Sequence, residues 1–166
     1  MRSNIAMTMR AAGRSGGRNA LIAQTVFRIQ TSGPALYEFT AQVTKWVEQS
    51  KVDAGLLTLF VRHTSASLLI QENADPEVQT DLRAFFDRLV PPSDDPAMAY
   101  LQHTYEGPDD MPAHIKAAMM PVSLNIPVTE RKMVLGTWQG IYLFEHRRAP
   151  HTRQVFAHLS GEGRMI

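Results

Sequence analysis

The stretch His103-Thr104-Tyr105-Glu106-Gly107-Pro108-Asp109-Asp110-Met111-Pro112-Ala113-His114 concentrates two imidazoles and three carboxylates in one short span. Imidazole and carboxylate together suit a borderline or hard divalent cation such as zinc or magnesium. Gly107 and Pro108 bend the backbone, so that Glu106 or Asp110 can fold back toward His103. Pro112 opens a helix and places His114 just inside it, where free backbone N–H groups also attract phosphate. The metal ligands expected from this pattern are His103, Asp110 and His114. Glu106, Asp110 and His114 are also candidates for acid/base work, together with His63. A capped helix behind a solvated acidic loop would use the same residues, and His-x-x-Glu pairs are common by chance.

Two further polar clusters interrupt apolar segments. His63-Thr64-Ser65 and Gln71-Glu72-Asn73-Ala74-Asp75 flank a short strand, and polar groups at strand ends are where sites form on a rigid sheet. Asp75 before Pro76 is explained as a helix cap; His63 and Asn73 are left as site candidates. Gly136-Thr137-Trp138-Gln139-Gly140 reads as a tight hairpin, with Thr137 and Gln139 beside a ring, Trp138, that can stack on a flat heterocycle or fill core. Farther on, Glu145 and Arg147 alternate onto one face of a strand end. There Arg147 can grip phosphate bidentately, with Glu145 holding it in place; a surface ion pair is the plainer reading. Arg153 is a weaker candidate of the same kind.

The elements that must position these groups are mixed. Strand patterns fall at residues 25–30, 56–62, 67–71, 123–128, 132–135, 141–145 and 153–159. One helix carries Leu36, Phe39, Val43, Trp46 and Val47 on a single face. A second, after Asp75-Pro76, carries Val78, Leu82, Phe85, Phe86 and Leu89 and stops at Pro91-Pro92. A third, short one runs from Met111-Pro112 to about Met119. The final strands have connections too short for crossovers, which predicts an α+β domain with a mostly antiparallel sheet and helices packed on it.

The chain has 166 residues, 44% hydrophobic and 20% charged, with a formal net charge of +1, so no strong field favours nucleic acid or anionic lipid. It lacks cysteine, which excludes disulfides, thiolate nucleophiles and cysteine-bound zinc. It has neither a phosphate-loop motif nor a dinucleotide fingerprint. No apolar run is long enough for a membrane helix. Residues 1–23 carry Arg2, Arg10, Arg14 and Arg18, and no acidic residue precedes Glu38. They read as a basic, disordered extension ahead of one domain at 24–166, with the cytoplasm as the default compartment.

From about Thr25 to Glu162 the chain resembles the YjbQ-like family, whose members are commonly named secondary thiamine-phosphate synthase enzymes. The resemblance rests on His63-Thr64-Ser65-Ala66-Ser67, on Glu72-Asn73-Ala74-Asp75-Pro76 and on Glu106 through Lys116. It continues in Gly136-Thr137-Trp138-Gln139-Gly140-Ile141 and Glu145-His146-Arg147. It implies a YjbQ-like fold, homotrimers, a pocket for a metal or phosphate-like ion, and a weak activity joining an aminopyrimidine pyrophosphate to a thiazole phosphate with loss of pyrophosphate. Under that reading a divalent ion sits at His103, Asp110 and His114, while Asn73, Thr137, Trp138, Gln139, Glu145 and Arg147 hold the small phosphorylated substrate. Two other functions use the same groups: metal-assisted hydrolysis of a phosphorylated metabolite, and non-catalytic binding by a trimer. The turn Thr129-Glu130-Arg131 departs from the family in lacking a glycine.

Overall fold

The computed structural model describes residues 8–15 and 18–163. Period-two burial builds its larger sheet. Leu21, Ala23, Phe27 and Ile29 of β2 (Arg18–Thr31) are buried, as are Leu57, Leu59 and Val61 of β4 (Val52–Val61) and Val155, Ala157 and Leu159 of β9 (His151–Gly163). With β1 (Thr8–Ser15), β6 (Ser123–Thr129) and β7 (Lys132–Met133) they form a six-stranded antiparallel sheet of order β1-β2-β9-β4-β6-β7. One buried face and one more open face is the expected economy of such a sheet. A smaller antiparallel sheet, order β3-β8-β5, comprises β3 (Ala35–Glu38), β5 (Ala66–Glu72) and β8 (Gln139–Glu145). Between the sheets, α1 (Thr40–Gln49) inserts Val43, Trp46 and Val47, and the Trp46 ring meets Phe27 edge-on at 6.0 Å.

The central strand of the small sheet, β8, is buried on both faces. Ile141 and Leu143 join the main core, while Tyr142 and Phe144 face the other way, toward Leu36, Met120 and the partly buried Leu82 and Phe86. The last two come from α2 (Pro76–Leu89), whose first turn is capped by Asp75 accepting from the Glu77 N–H at 2.8 Å. The short α3 (Asp110–Met119) runs beside β5.

The domain is therefore α+β and mostly antiparallel, as its patterning predicts. Three expectations change. Leu36 lies on β3 rather than on a helix, because cross-strand pairing with Phe144 outweighs its helical spacing to Phe39 and Val43. The expected boundary at Gln24 falls inside β2, where Leu21 and Ala23 continue the buried alternation against β9. Residues 8–15, expected to be disordered, form β1 on the edge of the same sheet; the rest of that expectation, residues 1–7 and 16–17, lies outside the described residues. The glycine-free turn after β6 is made by Glu130 and Arg131, both at positive φ (50° and 62°), so the hairpin forms despite the side chains. Among the described residues no helix is long and apolar enough to cross a membrane.

At the end of β8, Glu145 is fully buried. Its carboxylate accepts from Arg153 Nε at 2.6 Å, from Arg153 Nη2, and from Thr31 Oγ1 at 2.8 Å. Burial alone would push this carboxyl up; the hydrogen bonds from Arg153, the Arg147 N–H and Thr31 outweigh it and hold it below its ordinary value. Removing one member of such a pair strands the other. Glu145→Ala is expected to cost about 3–5 kcal/mol in urea unfolding, whereas replacing both with apolar residues (Glu145→Leu with Arg153→Met) restores most of the loss. Equal midpoints for Glu145→Ala and wild type would contradict this.

Candidate functional site

Three elements build the site. The loop before α3 supplies His103, α3 supplies Asp110 from its first turn and His114 one turn on, and the loop after β8 supplies Arg147. Asp110 and His114 share a helix face because they are four residues apart. His103 Nε2 lies 2.9 Å from Asp110 Oδ2, and His114 Nε2 lies 3.4 Å from the same oxygen. One ligand atom from each of the three residues falls within 4.8 Å of the others. Glu106, more exposed, reaches to 4.0 Å from His103 Nε2.

The second layer of contacts orients these atoms. Asp110 is buried, and its other oxygen, Oδ1, accepts from Arg147 Nη1. Arg147 Nε binds Asp109 Oδ2 at 3.0 Å, and Nη2 donates to the Glu106 carbonyl at 3.2 Å. Asp109 also accepts from the Arg148 N–H at 2.8 Å. Burial would raise the Asp109 carboxyl, but the Arg148 N–H and Arg147 hold it below its usual value. His114 Nδ1 sits 3.0 Å from the Thr64 carbonyl, which can only accept. Nδ1 therefore carries the hydrogen, and Nε2 is the nitrogen left for a ligand.

This donor set fits a divalent ion. Two imidazole nitrogens and one carboxylate oxygen, with further positions open, match catalytic zinc and other transition-metal sites better than all-oxygen magnesium sites. Ligands bound to a tetrahedral ion at roughly 2.0–2.1 Å lie about 3.4 Å apart, and the His114–Asp110 pair already has that spacing.

Beside the triad, His114 also lines a cleft of about 620 Å³, walled by Phe60, Val61, Thr64 and Val122 and shared with His63. His63 Nε2 accepts from the Gln154 N–H at 2.9 Å, so its Nδ1 carries the hydrogen. Burial first, and then the nearby Arg153 charge, lowers the pKa of His63.

Other expected site residues fall elsewhere. Asn73, Thr137, Trp138 and Gln139 are exposed at the opposite end of β8, since Gln139 pairs with Glu72 and Glu145 with Ala66. Six strand steps, at about 3.3 Å each, put roughly 20 Å between the two ends. Within one chain the Trp138 turn is thus not a wall of the His103–Asp110–His114 corner. Glu145 is a buried partner of Arg153 rather than a holder of Arg147, and Arg147 directs its guanidinium to Asp109, Asp110 and a carbonyl rather than to an open phosphate site. Sequence reasoning missed Thr64 as an orienting acceptor, because it lies 50 residues from His114. It also assigned nothing to Lys116 and His146, whose only signal was their place inside the family-like motifs.

Comparison with known proteins gives one consistent result. Residues 25–162 match the family model described as UPF0047 protein YjbQ-like. The chain is 50% identical over 139 residues to the UPF0047 protein sll1880 of Synechocystis sp., covering 84% of this chain and 92% of that protein. It is 46% identical over 115 residues to YjbQ of Escherichia coli O157:H7, covering 69% of this chain and 80% of that protein. Among solved structures, a YjbQ/UPF0047-family protein of Clostridium acetobutylicum superposes with a TM-score of 0.71 at 36% identity, over 81% of this chain and 98% of that one. The hypothetical protein APE1520 of Aeropyrum pernix gives 0.74 at 27% identity, over 83% and 98%.

On the far face of β8, His146 is buried. Its Nε2 lies 3.0 Å from Ser67 Oγ, and burial followed by the Lys116 charge lowers its pKa to about 3. The folded value lies below the unfolded value of 6.5, so acid favours the unfolded chain, which takes up a proton that the folded chain refuses. Stability is complete above about pH 6.5 and falls by about 1.4 kcal/mol per pH unit below it from His146 alone, with His63 adding in the same direction. Urea midpoints between pH 7 and 5, above the range where Glu145 and Asp109 titrate, should fall steeply in wild type and less steeply in His146→Gln. Parallel slopes would contradict this assignment.

Proposed function

The chain belongs to the UPF0047 YjbQ-like family, and from that premise we propose that it is a metal-dependent enzyme acting on a small phosphorylated substrate. The observation that carries this reading is the convergence of His103, Asp110 and His114, with Asp110 held from behind by Arg147 and His114 held by Thr64. The reaction we assign is transfer of a thiamine-phosphate synthase type. The bond from the pyrimidine methylene carbon to pyrophosphate breaks with its electron pair leaving on oxygen, and the thiazole nitrogen lone pair forms the new carbon–nitrogen bond. No proton changes hands at the reacting atoms and no protein nucleophile is needed, so the protein's work is positioning and charge stabilisation.

The cleft supports this assignment. Its volume of about 620 Å³ lies within the usual range for small-molecule sites, and Phe60, Val61 and Val122 offer apolar wall to flat rings. The His63 Nδ1–H is a neutral donor for a leaving phosphate oxygen. His103, Asp110 and His114 would hold a zinc-like ion, which when bound supplies Lewis acidity and neutralises pyrophosphate charge. Outside the cleft Leu56 and Met119 remain exposed, and a homotrimer covering this apolar surface belongs to the same reading.

One observation favours a second reading. Glu106 stands exposed beside His103, as a base for water would, whereas the transfer needs no base. Hydrolysis of a phosphorylated metabolite would use it.

Metal analysis of purified protein is expected to find bound ion in wild type, with affinity reduced about 10–100-fold in Arg147→Lys, which disturbs only the orienting contact, and more in His114→Ala. Unchanged metal content in both would remove the metal centre. In assays, pyrophosphate release that requires both substrates supports transfer. Phosphate release without the thiazole, abolished in Glu106→Gln, supports hydrolysis. Metal-loaded protein that turns over neither substrate would overturn the enzymatic reading. Light scattering is expected to give a mass three times 18.6 kDa, and a monomer would refute the trimer.

A further inference from the structure

A second cavity, of about 280 Å³, lies on the other side of α3 from the metal corner. Asp110 and His114 point to the corner, whereas Lys116 lines the cavity together with Asp87, Asp109, His146 and Arg148. The transfer chemistry uses none of the three basic side chains here, yet each carries unfilled donor capacity.

Lys116 is buried, and its Nζ donates to Asp87 Oδ1 at 2.6 Å. An ammonium has three N–H groups, and the other two have no partner among the described residues. Arg148 is exposed, and its guanidinium has no partner among the described residues; only its backbone N–H is bonded, to Asp109. His146 is 4% exposed and its Nδ1 has no partner among the described residues. Ser67, fully buried, has His146 Nε2 as its side-chain partner at 3.0 Å. If the serine hydroxyl is to be satisfied, its hydrogen points at Nε2, and the neutral ring then keeps its own hydrogen on Nδ1. The two carboxylates on the wall are already committed: Asp87 to Lys116, and Asp109 to Arg147 and the Arg148 N–H.

We propose that this cavity is a second binding site, for a small oxyanion of the phosphate class, received by Lys116 and Arg148 beside the buried His146 ring. The oxyanion is either free or the end group of a small ester. A bulky ligand is excluded by the volume, which falls just under the roughly 300–1,000 Å³ of drug-sized sites. The assignment does not depend on metal at His103, Asp110 and His114, nor on the transfer reaction.

The test is a titration of the full-length, isotope-labelled protein with inorganic phosphate, in the presence of a chelator so that the metal corner is silent. The reporter is the ring ¹⁵N signal of His146. A saturable shift of that signal is expected. Arg148→Ala, at an exposed position that leaves the core intact, should weaken binding about tenfold or more, the scale of one charge-assisted hydrogen bond. Lys116→Met should weaken it further, but this variant also breaks the pair with Asp87, so the decision rests on Arg148→Ala. Methyl phosphate that shifts the same signal assigns the site to an ester end group, and a response to inorganic phosphate alone assigns it to the free ion. A His146 signal that does not move with either probe, or equal affinity in Arg148→Ala and wild type, overturns the proposal.

Discussion

Glu145 sits where three strands and one loop meet, fully out of water, and its carboxylate is answered from three parts of the chain. Arg153 from β9 and Thr31 from β2 bind the carboxylate from the large sheet. The N–H groups of His146 and Arg147 bind Oε1 from the residues that follow it, at 3.1 and 3.0 Å. The last two contacts turn the chain sharply as it leaves β8, and that turn presents Arg147 to α3. A buried ion pair of this kind adds little net stability over an apolar pair, since desolvation offsets most of the attraction. What it contributes is geometry: the small sheet is pinned to the large one at the end where the candidate metal ligands gather.

From that point order passes outward through paired charges. Arg147 takes Asp110 Oδ1 and Asp109 Oδ2, which leaves Asp110 Oδ2 directed at both histidines. The first turn of α3 is also where a negative side chain is favoured by the helix dipole. The orienting contacts come from Arg147 and from the Thr64 carbonyl, neither of them among the three candidate ligands, and outer contacts of this kind are what give a metal site its precision. The same helix separates two spaces. Its Asp110–His114 side borders the open cleft shared with His63, while its Lys116 side closes a smaller cavity against His146 and Arg148.

Much of this was legible in the residues. The Asp75-Pro76 cap, the four-residue spacing of Asp110 and His114, and the alternating strands are local patterns, and local patterns survive folding because they arise from one element's own periodicity. The misreadings were also local in origin. Leu36 keeps helical spacing with Phe39 and Val43, but four residues before α1 are taken by the edge of the small sheet. Leu21 and Ala23 were hidden by the arginines and glycines that precede them, and only pairing with β9 marks them as core.

By itself the sequence determined the fold class, the family likeness and the identity of the three candidate ligands, two of them one helix turn apart and the third only seven residues before Asp110. The tertiary structure alone decided which groups orient them and which do not. Thr64 reaches His114 across 50 residues, Arg147 reaches Asp110 across 37, and Glu145 chooses Arg153 over its near neighbour Arg147. It also set Trp138 and Asn73 at the far end of β8, out of a site to which their residue types suited them. Such partnerships depend on strand register and on which face of a sheet turns inward. A shift of one residue would exchange every one of them, and no spacing within a single segment records that choice.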